Sequence, residues 1–487
     1  MEAGRERAWR GIKILIPVRA KNFVACSGIL IVFANFWQNR GKLQVWVFTP
    51  AEYLIKGESR EGRRTMDLKK LTISNFKMFE RLELFFEPGF NLILGDNGVG
   101  KTTILEAASV ALSGFFAGME DVSVRGIYKN EVRYQILKDS NGTPNKSYCR
   151  QAEISSIMVY GGIEYPWVRA RKDATGSSKT TIVPKDIMRV SQKLVNDMDG
   201  RPWPAISYQS ASRHWVLARS DANEKRRKQL HDRRCGYLGC LDRAVNMQSI
   251  YEWCKQMEWI YLSKGRKPEN YVVFGEIISK FMGIMNDGMV SGVFFHPNVE
   301  KLLYMENDEY KEIEDLSAGY QSILNVVIDL AYRMAILNPD AGRDIPNAEG
   351  IVLIDEIDSN LHPKWQWRIV DALMETFPNV QFIAATHSPI IVSSCKNGHI
   401  MSIDWQQNIQ YITGSYAFSV NEILKDMLGY YMRPEKVEKL IEKFEGHMDR
   451  DEYAKAKEAL DALVDLLGED HPEAVALKSE YEIEAEG

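Results

Sequence analysis

The chain has 487 residues, of which 45% are apolar and 26% charged, ordinary globular values that exclude a disordered tract or a fibrous repeat. Its 61 Lys and Arg against 66 Asp and Glu leave a net charge of −5, so only the distribution of charge carries information about partners. The most lipid-like stretch, GILIVFANFW at 28–37, is about half of the ~20 residues that span a bilayer, which excludes a membrane-embedded pump for this chain.

Residues 1–65 stand apart: they hold 12 Lys and Arg against 5 Glu and follow no clear periodicity. Met66 is expected to be the natural start, and the preceding stretch an extension or an over-called start codon. From Met66 the text LKKLTISNF and then RLELFF alternates apolar and polar residues, as half-buried strands do. Next come an apolar strand at 90–94, a Gly-rich turn, and a helix that opens at Lys101 and runs into ILEAASVALSGFF. A first segment is placed at 66–119 and a large insertion at 120–310, α-rich and built into the same domain. A second segment spans 311–430, with buried strands at 351–354 and 380–384, and an acidic helical tail occupies 431–487. Strands alternating with helices predict an α/β fold, a mixed, mostly parallel sheet flanked by helices.

The strongest local pattern is Gly95-Asp96-Asn97-Gly98-Val99-Gly100-Lys101-Thr102-Thr103, a GxxxxGK[ST] loop between a strand and a helix. Glycines let successive backbone N–H groups of Asn97, Gly98, Gly100 and the following residues turn inward on phosphate oxygens. The helix N-terminus adds a positive dipole end. Lys101 is placed to reach the β and γ phosphates of ATP, Thr102 to ligate Mg²⁺, and Thr103 completes the loop. Asp355 and Glu356 follow four aliphatic residues, so a buried strand delivers both carboxylates to the sheet edge where ligands bind. Asp355 suits the Mg²⁺ shell, and Glu356 suits orientation and deprotonation of an attacking water. A lone acidic pair after a strand is ordinarily a solvated turn; the phosphate loop makes it a site.

Two further patterns sit at set distances: Leu316-Ser317-Ala318-Gly319-Tyr320-Gln321 opens an apolar helix, and Thr386-His387-Ser388-Pro389 follows a strand. Ser317 lies 216 residues after Lys101, Asp355 lies 38 after Ser317, and His387 lies 31 after Glu356. With the opening Ile73-Ser74-Asn75-Phe76-Lys77, this order resembles the ABC-type ATPases of the RecF/SMC/OLD branch. The resemblance implies that Ser317 and Gly319 form a signature that contacts the γ-phosphate held by another protomer, so that a homodimer or higher even oligomer sandwiches ATP. It implies that Asp358 belongs to the loop spanning that interface and that His387 is the switch histidine. Gln209 is the candidate for the glutamine loop. Ala318 and Tyr320 depart from the commonest signature wording.

The gap between phosphate loop and signature shows no sustained heptads, which excludes long coiled-coil arms. Within it, 201–243 holds ten Lys and Arg against four Asp and Glu, with Tyr208, Trp215 and Tyr237 interleaved. This suits nucleic-acid contact, and equally a solvated helix face. His231, Cys235 and Cys240 match no standard zinc spacing. Ser212-Arg213-His214-Trp215, Gly236-Tyr237, Cys240-Leu241-Asp242 and Leu361-His362-Pro363-Lys364-Trp365-Gln366 resemble PtuA-like ATPases of Septu and retron-associated anti-phage systems. That resemblance implies a cytoplasmic ATPase that regulates or senses for a separately encoded HNH nuclease, PtuB-like, with DNA or a retron RNA–DNA as a further partner. The alternatives are a RecF-like repair ATPase and an OLD-like nuclease with a site of its own. In the tail, Asp449-Arg450-Asp451 is read as a helix cap and not as a metal site.

Overall fold

A computed structural model describes residues 14–17, 42–45, 66–138, 143–196, 201–211, 232–242, 247–427, 429 and 433–486. The chain divides at residues 63/64 into two units. In the first, Ile14–Pro17 pairs antiparallel with Lys42–Val45. All that follows concerns the second unit.

Two sheets organise it. β1 (Met66–Phe76) and β2 (Phe79–Phe85) form a hairpin, and β3 (Phe90–Leu94) leads through the glycine loop into α1 (Lys101–Phe116). β4 (Ala152–Tyr160), β5 (Ile163–Arg171) and β6 (Thr181–Val183) complete a five-stranded antiparallel sheet in the order β6-β5-β4-β1-β2. After α2 (Asp186–Asn196), β7 (Ala205–Gln209) enters the second sheet; α3 (Met247–Lys264) and α4 (Glu269–Met285) follow. Then come α5 (Ala318–Leu337), β8 (Gly350–Ile354), α6 (Ile369–Thr376), β9 (Val380–Thr386), β10 (His399–Ile403) and β11 (Ile409–Ile412). The second sheet has the order β7-β8-β9-β3-β10-β11, parallel throughout except for the last hairpin pair.

Sequence explains both kinds of strand. FNLIL, GIVLI and VQFIAAT are buried at every position, as strands of a parallel sheet covered on two sides must be, and their polar members Asn91, Gln381 and Thr386 are each hydrogen-bonded. β4 alternates buried and half-buried residues, as an antiparallel strand with one covered face does. The helix α1 is apolar on nearly every side and correspondingly buried from Ile104 to Phe116, in contact with strands of both sheets. Trp167 of β5 donates from its indole Nε1 to the Ala111 carbonyl (3.1 Å), and Lys77 pairs with the buried Glu106. The phosphate-loop helix is thereby clamped to the antiparallel sheet.

The interval 120–310 is not one lobe. Its strands β4–β6 belong to the antiparallel sheet through the β1–β4 ladder, and β7 is the edge strand beside β8. Only later do α3, α4 and a three-stranded sheet (Val290–His296, Lys301–Glu306, Glu309–Glu312) form the expected addition. Local periodicity announces a strand, whereas the sheet it joins depends on register with distant residues. Residues 212–231, with Ser212-Arg213-His214-Trp215, the basic run 225–228 and His231, lie outside the described residues.

The tail forms α7 (Glu435–Met448), α8 (Tyr453–Leu467) and α9 (Pro472–Glu486), with a separate core of Val437, Ile441, Phe444, Met448, Ala456, Leu460 and Leu463. The tripeptide Asp449-Arg450-Asp451 does not open a helix as expected, and Asp449 instead is the C-cap of α7. Asp451 stands in the connecting turn with φ +56°, and Glu452 precedes α8 without a side-chain cap. No described helix is long and apolar enough to cross a membrane.

A buried polar network joins α5 to the sheet edge. Asp329 accepts from Ser207 Oγ (2.9 Å), Gln209 Nε2 (2.8 Å) and Arg333 Nε (2.8 Å). Arg333 Nη1 donates to the carbonyls of Gly236 and Leu238. Removing one partner of a buried pair strands the other charge, at about 3–5 kcal/mol. Asp329→Ala is therefore expected to lower unfolding free energy by about that amount in urea titration, and Asp329→Leu with Arg333→Met to recover most of it. A loss under about 1 kcal/mol in the single variant would show the network to be dispensable.

Candidate functional site

Parallel pairing puts the carboxyl ends of β3, β8 and β9 on one edge, and the predicted motifs sit at those ends. The phosphate loop leaves β3 with Gly95, Gly98 and Gly100 all at positive φ, and Gly100 (φ +109°) is the N-cap of α1. A Cβ at Gly100 would meet the Phe79 ring at 2.5 Å, so close packing and backbone conformation both demand glycine there. No side chain caps α1, which leaves its first N–H groups directed into the loop. Asn97 and Thr103 lie in the same loop–helix junction.

Lys101 is buried, with Nζ donating to the carbonyls of Gly95 (2.6 Å) and Asp96 (2.8 Å). Burial pulls its ammonium below the usual lysine range, and the carboxylates of Asp358, Asp355, Glu356 and Asp96 oppose that shift. Thr102 Oγ1 donates to Asp355 Oδ1 at 3.1 Å, joining residues 253 apart in sequence. A hydroxyl beside a carboxylate is a hard oxygen pair suited to Mg²⁺, which takes one or two protein ligands and fills its remaining positions with water and phosphate. Among the described residues no group of three or more His, Cys, Asp and Glu could hold a metal ion.

Glu356 follows with φ +45°, half-buried, in a conformation that a glutamate rarely adopts. Such backbone strain is held in place by neighbours: Ile357 N donates to Ala385 O (3.0 Å) and Ser359 N to Glu356 O (2.9 Å). His387 Nε2 lies 3.2 Å from Asp358 Oδ2, whose Oδ1 accepts from Thr386 Oγ1 at 2.6 Å. Asp358 is thus engaged within its own chain. It is buried and turned onto its own chain's histidine, while Asn360 of the same turn is exposed. The turn after β8 curls back against β9, with Ile357 N donating to Ala385 O, so Asp358 points inward.

Gln209 ends β7 beside the site, its carbonyl accepting from Asp355 N at 2.8 Å. Its Nε2 points into the Asp329 network, and its Oε1 is buried with no hydrogen-bond partner. That orphaned oxygen is the atom of the expected glutamine loop that a cation or water could use.

Ser317 is the exposed N-cap of α5 and accepts from Tyr320 N at 3.4 Å. A Cβ at Gly319 would lie 1.8 Å from the Asn360 carbonyl oxygen, so the signature glycine packs directly on the turn after Glu356. Tyr320, the unusual signature residue, is buried, stacked on Trp365 at 4.6 Å, and its hydroxyl accepts from Asn286 Nδ2 at 2.5 Å. A cleft of about 740 Å³ opens here, lined by Asn286, Ser317, Asn360, Leu361, His362, Lys364 and Trp365, none of them from the phosphate loop.

Residues 70–258 match a family model described as "AAA domain", and residues 291–393 match one described as "AAA domain, putative AbiEii toxin, Type IV TA system". Together these two segments contain every predicted site residue. The chain is 26% identical to "Retron Vc95 probable ATPase" of Vibrio cholerae, over 83% of this chain and 91% of that protein. It is 25% identical to "Septu protein PtuA" of Bacillus thuringiensis, over 80% and 92%. Along most of its length the chain is similar to retron and Septu ATPases. Among solved structures, an SMC head bound to the C-terminal winged-helix domain of ScpA matches with a TM-score of 0.41 and 16% identity, covering 71% of this chain and 97% of that one.

The inward contact of Asp358, the Tyr320–Trp365 stack and the pair Asp329/Arg333 belong to no sequence motif. Only the last left a mark in the text, as opposite charges four residues apart within an otherwise apolar helix. Gly319→Ala is expected to force the signature and the 358–361 turn apart, costing about 1–3 kcal/mol of stability. A denaturant midpoint unchanged from the parent would contradict the packing of Gly319 against Asn360.

Proposed function

We propose that this chain binds and hydrolyses ATP at the edge formed by residues 95–103, 355–356 and 387, and that two copies close around the nucleotide. The observation that carries the reading is the Thr102–Asp355 contact at 3.1 Å, which brings the phosphate loop and the acidic pair together. Backbone N–H groups of the loop and the N-terminus of α1 would receive the phosphates, and Lys101 would move from the Gly95 and Asp96 carbonyls to the β and γ oxygens. Mg²⁺, held by Thr102 and Asp355, would neutralise charge on the transferring phosphoryl group. Glu356 would orient the attacking water and take its proton, and His387, steadied by Asp358, would contact the γ-phosphate.

The signature supports the two-copy arrangement. Ser317 is exposed at a helix N-terminus and faces a cleft to which the chain's own phosphate loop contributes nothing. A second copy would place its nucleotide there and meet a hydroxyl, free N–H groups and a dipole. By kinship with retron and Septu ATPases, the proposed biological role is to hold, and on a trigger release, a separately encoded nuclease in anti-phage defence. The proposed setting is the cytoplasm, and nucleic acid is a second proposed partner.

Two variants test the reading by light scattering and phosphate release. Lys101→Ala is expected to lose nucleotide binding. Glu356→Gln should retain binding, slow hydrolysis by about a hundredfold or more, and accumulate as an ATP-bound dimer. A Glu356→Gln protein that stays monomeric at saturating ATP and Mg²⁺ would rule out the sandwich.

A further inference from the structure

Trp405 lies outside both matched segments, in the turn between β10 and β11. β10 runs parallel to β3, with His399 opposite Asn91 and Ser402 opposite Leu94, so the turn after it rises at the same edge as the phosphate loop. The indole leans on that loop: its Nε1 donates to Asp96 Oδ2 at 3.1 Å, and its Cη2 would lie 3.1 Å from a Cβ at Gly98. Nevertheless 62% of the residue remains exposed. A large aromatic pinned by a hydrogen bond, yet uncovered, is the form of a stacking platform.

The strand order gives it a ligand. On one side of β3 lie β9 and β8, which deliver His387, Asp355 and Glu356. Hydrolysis requires the γ-phosphate to face that side, so the nucleoside end of the same molecule leaves the loop in the other direction. β10 and the turn carrying Trp405 lie on that other side of β3. We infer that Trp405 is the platform for the nucleobase of the bound nucleoside triphosphate, stacking on its ring while Asp96 holds the indole in place. The inference rests on the ATP reading above and adds to it a base-binding residue. Stacking is indifferent to which purine is presented, so the platform contributes affinity for a base more than discrimination between adenine and guanine.

The test compares ATP with inorganic tripolyphosphate, which has the phosphates and no base, on the full-length chain by calorimetry. Trp405→Ala is expected to weaken ATP about tenfold while leaving tripolyphosphate within about twofold. Trp405→Phe, which keeps a ring and loses the Nε1 donor, should retain most ATP affinity. Met78, exposed where the antiparallel sheet meets Gly100, is the control, and Met78→Ala should bind ATP as the parent does. Equal loss of both ligands in Trp405→Ala would make the residue a support for the loop and overturn the inference. Unchanged ATP affinity, or a loss confined to Met78→Ala, would overturn it too. A parent chain that binds neither ligand defeats the ATP reading itself, a result distinct from these.

Discussion

A single hydrogen bond, Thr102 to Asp355, depends on nearly everything else in the second unit. It joins the first turn of α1 to the end of β8 across 253 residues, and it forms only because β8, β9 and β3 lie parallel in that order. A one-residue slip in either ladder would turn Asp355 to the opposite face of its strand. The register is fixed by packing against α1 and by buried polar side chains within the strands, Asn91 Nδ2 donating to Phe382 O (3.2 Å) and Gln381 Nε2 to Leu68 O (3.0 Å). The chemistry at the edge is thus a consequence of how the core is filled.

The helix α5 links this edge to a second surface. Its outer end presents Ser317, its first turn packs Gly319 and Tyr320 against the segment after Glu356, and its middle carries the Asp329–Arg333 pair that reaches Ser207 and Gln209. A buried ion pair contributes little net stability compared with an apolar replacement, and its use is to specify one arrangement. Here that arrangement sets the angle between the signature, the acidic turn and the edge strand.

The turn bearing Glu356 shows how strain is tolerated. A glutamate at φ +45° is costly, and the surrounding bonds from Ile357 to Ala385 and from Thr386 to Asp358 over-determine the turn. The same bonds seat His387 beside Asp358. Glu356 in the turn after β8 and His387 just after β9 thus belong to two turns tied together through Asp358. The tail, by contrast, closes its own apolar core, and its 17 Asp and Glu against 7 Lys and Arg over 435–487 outweigh the net charge of −5 of the whole chain.

The local text by itself determined the elements and their order. The glycine loop before an apolar helix, the aliphatic strands ending in acids, and the tail helices with one apolar face each announce their form through short-range sterics and periodicity. Tertiary structure alone decided which elements meet. The strands at 152–183 entered one sheet and that at 205–209 the other, Asp358 turned inward to His387, Tyr320 found Trp365, and Trp405 came to rest on Gly98 and Asp96. The reason is physical: propensity and period act over a few residues, whereas ladder register, close packing and the pairing of buried charge act between residues hundreds of positions apart.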